Sequence, residues 1–71
     1  MPMVSTMREN GFGVEMHDDG AGWRVAIVGP EGAVLAERAC RDQTEARTYA
    51  STVRQHIYWL SPERFRAYYR L

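Results

Sequence analysis

Few residues in this chain have side chains suited to chemistry, and they fall into two groups. The first is HDDG (17–20), where His17 precedes Asp18 and Asp19. A histidine beside two carboxylates has the donors for a metal ion or for proton transfer. Adjacent side chains rarely converge on one ion, however, and Asp-Asp-Gly is also the composition of a turn, so the turn is preferred. Cys40 is the single cysteine and His56 the other histidine, neither at ligand spacing from HDDG. The sequence contains no G-x-S-x-G, CxxC, phosphate-loop or dinucleotide-binding pattern. Cys40 ends the strand-like segment AVLAERAC on its core face and reads as a packed thiol, and His56 as a partly buried structural histidine. No catalytic, metal or cofactor residue is assigned, and enzymatic activity is not expected.

The second group is the tail RQHIYWLSPERFRAYYRL (54–71). It carries four of the nine arginines against one acid, a net of +3, and five of the eight aromatics. Residues 1–53 carry five arginines against eight acids, a net of −3. Arg, Tyr and Trp are the types enriched at the energetic centres of protein interfaces, and interleaved Arg and aromatics also suit stacking on single-stranded nucleic acid. The candidate partner-binding set is Arg54, Tyr58, Trp59, Arg64, Arg66, Tyr69 and Arg70. The competing account is structural: the chain turns at Leu60–Ser61 and Phe65 packs back on Trp59 to close a helical corner.

These residues need elements to position them. Residues 1–10 are weakly patterned and read as a flexible lead-in, followed by one small domain over 11–71. FGVEMH (12–17) and WRVAIV (23–28) alternate apolar and polar residues with the period of a strand. Pairing Phe12 with Ile27, Val14 with Val25 and Met16 with Trp23 aligns their apolar faces and leaves HDDGAG as the loop. GPEG (29–32) suits a type I turn and leads into a third strand, AVLAERAC. Tight pairing there sets Ile27 opposite Val34, Val25 opposite Ala36, Ala26 opposite Leu35 and Arg24 opposite Glu37.

Asp42 and Glu45 have the spacing of a capping box. Ala46, Ala50, Val53, Ile57 and Leu60 then recur as one helical stripe, flanked by Tyr49 and His56. Ser61 and Pro62 restart a shorter helix. The predicted fold is α+β: a three-stranded antiparallel meander packed by one long helix, plus a short C-terminal helix.

Seventy-one residues bury roughly 60% of their unfolded surface, and one cysteine excludes an internal disulfide. Oligomerisation is therefore the expected supplement to a small core. One long helix covers one sheet face. The other would present Ala26, Val28 and Leu35 within a fringe that includes Arg24 and Glu37, to be covered by the C-terminal helix, a second copy or a target. Arg24, Ala26, Val28, Leu35 and Glu37 are thus the candidate homodimer face. No segment has the length and apolarity of a signal peptide or membrane span, so the expected location is cytoplasmic, with no membrane partner.

The run GWRVAIVGPEGAVLAERACRDQTEARTYASTVRQHI resembles small bacterial and phage accessory proteins. These have a strand opened by an aromatic, a Gly turn, a second strand and a capped helix opening, here Thr44, Glu45 and Ala46. Some anti-CRISPR proteins are among them. The resemblance covers roughly residues 12–57 and carries over no site residues. It implies a mobile-element accessory protein that works by binding another macromolecule. The expected function is a protein-binding module, an inhibitor that blocks a host nucleoprotein complex. The alternative is a nucleic-acid-binding accessory protein gripping phosphates through its C-terminal arginines. Zero net charge and the acids of residues 1–53 favour the former.

Overall fold

The computed structural model describes residues 11–71, and the lead-in expected over residues 1–10 lies outside them. β1 (Gly13–Asp18), β2 (Trp23–Val28) and β3 (Val34–Cys40) form an antiparallel sheet in that order, followed by α1 (Gln43–Trp59) and α2 (Pro62–Tyr69). The α+β architecture anticipated from the periodicities is the one observed, and α1 packs across all three strands.

Both hairpin registers differ from the expected ones by two residues. In the first, Val14 pairs with Ile27 and Met16 with Val25, in place of Val25 and Trp23. β1 runs on through His17 and Asp18, so only Asp19–Gly22 connects the strands. The carboxylates hold this shorter turn. Asp18 Oδ1 accepts from the Gly20 N–H at 2.9 Å, and Asp19 Oδ1 accepts from the Ala21 and Gly22 N–H groups at 3.1 and 2.9 Å. Gly20 supplies the left-handed backbone, at φ 89°.

In the second hairpin Ile27 pairs with Ala36, Val25 with Arg38 and Ala26 with Glu37, in place of Val34, Ala36 and Leu35. The turn expected at GPEG is present. The Gly32 N–H donates to the Gly29 carbonyl at 2.9 Å, and the Gly29 N–H to the Ala33 carbonyl at 2.8 Å. Beyond it the register shifts between Ile27 and Val28, and Val28 pairs with Val34. Leu35 is left as the extra residue of a bulge. Arg24 and Glu37 become diagonal neighbours instead of a direct pair, yet still meet, Nη1 to Oε1 at 2.9 Å.

α1 starts where expected, with Asp42 Oδ1 accepting from the Glu45 N–H at 2.9 Å. The return bond of the capping box lands one residue early: Glu45 Oε1 accepts from the Arg41 N–H, at 2.6 Å. Ala46, Ala50, Val53 and Ile57 are all buried, which fixes the helix phase. The alanines meet Val25 and Cys40 towards the start of α1, and Val53 and Ile57 meet Phe12 and Ile27 towards its end.

Ser61 caps α2 through its hydroxyl, with Pro62 in the first turn. Phe65 does not pack on Trp59, so the structural account of that corner, in which the two close it together, is not the one observed. Phe65 is wholly buried against Phe12, ring centroids 4.7 Å apart, and against Tyr69 at 4.8 Å. The reason is the space beyond the end of α1, where Phe12, Ile27, Val53 and Ile57 offer an apolar cradle on the α1 side of the sheet. That placement also removes α2 as a cover for the opposite sheet face.

Candidate functional site

The exposed side of α1 holds the candidate site. The core stripe turns Ser51, Arg54, Gln55, Tyr58 and Trp59 away from the sheet, at spacings of three, four, seven and eight residues from Ser51. Together with an edge of Ile57 they line a shallow groove of about 410 Å³. Trp59 is 72% exposed and Tyr58 61%, large apolar areas left in water. Three of the seven expected partner-binding residues, Arg54, Tyr58 and Trp59, therefore share one surface. Ser51 and Gln55 complete it. Ser51 was not singled out from the sequence, although its spacing from Gln55, Tyr58 and Trp59 was there to be used.

The other four lie elsewhere. Tyr69 is half-buried, its hydroxyl hydrogen-bonded to His56 Nδ1 at 2.6 Å and its ring packed on Phe65 and Tyr68. Burial first, then the neighbouring Tyr49 and Tyr68, pushes its pKa up to about 12. It belongs to the packing between α1 and α2 and is not a free docking side chain. The Arg66 guanidinium sits 5.3 Å from the Phe12 ring centre, a cation–π contact over the buried aromatic pair. Arg64 is exposed. Arg70 ends α2 in the left-handed region, φ 58° and ψ 49°.

The ion pairs are unevenly distributed. Among the described residues, all of them fall between residues 15 and 45, and none involves Arg47, Arg54, Arg64 or Arg70. The acidic hairpin is largely occupied with itself. Asp19 bonds its own turn and Arg24 Nε at 3.1 Å; the Ala21 N–H and then Arg24 hold its carboxyl below the usual carboxylate range. Asp18 and Asp19 thus serve the turn, and among the described residues no cluster of metal-ligating side chains occurs.

The face expected to meet a second copy is more closed than anticipated. Ala26 and Val28 are buried within the chain, at 0% and 3% exposure, and Arg24 and Glu37 are bonded to each other. Leu35 remains 40% exposed at the bulge, beside Val34 at 52%. The apolar centre read from the sequence is reduced to that corner, because the register shift places Ala26 directly between Glu15 and Glu37.

Fold and site together define a small α+β domain with an aromatic and cationic ridge on its long helix. Compared with protein-family models, with curated proteins and with solved structures, the chain gives no match. No described helix is long and apolar enough to cross a membrane.

Proposed function

We propose that the chain is a small protein-binding module that docks through the outer ridge of α1, with Trp59 and Tyr58 as its anchors and Arg54 beside them. The observation that carries this reading is the exposure of Trp59. A corner-packing tryptophan would be buried, and Phe65 has taken that role. Covering two exposed aromatics removes large apolar areas from water, at roughly 25 cal/mol per Å², and their few rotatable bonds keep the ordering cost low. The finer role, an inhibitor acting in the cytoplasm on a host nucleoprotein complex, rests on the resemblance of residues 12–57 to anti-CRISPR-like accessory proteins. Catalysis is not part of the proposal. The His56–Tyr69 contact has the look of a base beside a nucleophile, but a hydroxyl with a raised pKa is a poor nucleophile.

A nuclease-treated lysate of the source cell, passed over the tethered protein, tests the docking ridge. A protein retained by the wild type should be lost with Trp59→Ala and kept with Glu31→Ala in the distant turn. Retention that survives Trp59→Ala, or that nuclease abolishes, overturns the reading. A labelled random oligonucleotide should give flat anisotropy at physiological salt. Micromolar binding that weakens steeply with salt would favour the nucleic-acid alternative.

A further inference from the structure

We infer that the α1 groove accepts an acidic protein segment, one apolar side chain seated between Tyr58 and Trp59 with a carboxylate on Arg54. This rests on the docking reading above and assigns the chemistry of what docks. The groove's lining combines two aromatic rings and part of Ile57 with only one charged group, Arg54. A volume of about 410 Å³ lies at the small end of the range for ligand pockets and suits one or two apolar side chains. A phosphate backbone would instead need several cations tracking it.

Charge selects the partner's sign. Among the described residues no acid pairs with Arg54, nor with Arg47, seven residues earlier. Seven residues are two helical turns, so the two guanidinium-bearing positions lie about 10 Å apart along the axis. No acid of α1 lies between them, since Glu45 is the helix's single carboxylate and caps its first turn. An incoming segment thus meets an apolar slot with positive charge beside it and above it, paired with no acid among the described residues. Arginine there forms two-pronged bonds to carboxylates, and the neighbouring rings exclude water from them.

The test uses the whole chain and labelled synthetic peptides in which Leu and Phe alternate with Asp and Glu. A matched peptide carries Asn and Gln at the acidic positions, and a third carries Lys. Anisotropy should show the acidic peptide binding at least tenfold more tightly than the amide version, an advantage shrinking as salt rises. Arg54→Gln should remove most of that advantage, and Trp59→Ala should weaken both peptides alike. Both positions are exposed, so circular dichroism should show both variants folded. Equal binding of acidic and amide peptides, preference for the Lys peptide or for a random oligonucleotide, or no binding of the acidic peptide up to millimolar each overturns the inference. If Trp59-dependent retention of a cellular protein persists while the acidic preference is absent, only the partner chemistry fails. Loss of that retention as well removes the docking ridge itself.

Discussion

Arg70 occupies a backbone conformation that suits glycine, and the reason is visible in the bonds around it. The Leu71 N–H reaches the Arg66 carbonyl at 2.9 Å and the Arg70 N–H reaches Ala67 at 3.4 Å, the paired closure of a Schellman cap. Leu71 then folds onto the core cluster. An L side chain at that position costs about 1 kcal/mol. Arg70→Gly should therefore raise stability by about 0.5–1 kcal/mol, read as a higher denaturant midpoint with unchanged slope. A lower midpoint would mean that the guanidinium makes a stabilising contact larger than the strain. Tyr69 makes a second residue-scale prediction. Its folded pKa of about 12 stands above the ordinary 10.0, so the native state holds the proton more tightly. Its contribution is full below pH 10 and is lost between pH 10 and 12, roughly 1 kcal/mol after allowing for solvent screening. Tyrosinate absorbance should show a late component that Tyr69→Phe deletes; identical titrations of the two proteins would refute the assignment.

At the scale of elements, the helix phase and the strand identities were legible, and the strand registers were not. The reason lies in the period. A slip of two residues leaves every apolar side chain on its own face, so matching hydrophobic faces cannot separate Val14–Ile27 from Val14–Val25. What decides is local hydrogen bonding in the turns, where Asp18 and Asp19 hold a four-residue connection and GPEG feeds a bulge at Leu35. Helix caps involve three or four consecutive residues and were readable; Asp42 and Ser61 both cap as their spacing implied. The candidate site was half legible. Helical spacing placed Tyr58 and Trp59 off the core stripe, but nothing local reveals that Phe65 finds Phe12 and leaves Trp59 outside. Ile57→Ala should cost roughly 2–5 kcal/mol and Gln55→Ala under about 0.5 kcal/mol. Equal midpoints for the two variants would mean that the helix is rotated from the phase described.

For the whole molecule the question is association. A dimer surface on the outer sheet face would need Ala26 and Val28 accessible, and both are buried. What remains, Val34 and Leu35 beside an internal Arg24–Glu37 ion pair, is small against the roughly 800 Å² per partner of a stable interface. Sedimentation at tens of micromolar should return the 8.2 kDa monomer, and Leu35→Glu should leave mass and stability nearly unchanged. Twice that mass, falling to the monomer in Leu35→Glu, would restore the sheet-face dimer.

The stacking of Phe12 on Phe65 joins positions 53 residues apart in the chain. The two hairpins and α1 close over short distances, whereas this contact closes nearly the whole described chain, at an entropic cost of roughly 3.5 kcal/mol. Such a contact belongs after the folding barrier, once the sheet and α1 have already brought its ends together. Phe65→Leu should then leave the refolding rate almost untouched and speed unfolding roughly tenfold for each 1.4 kcal/mol lost. A refolding rate slowed in the same proportion would put α2 in the nucleus instead. With α2 docking late, it governs how long a folded copy survives rather than how quickly one forms.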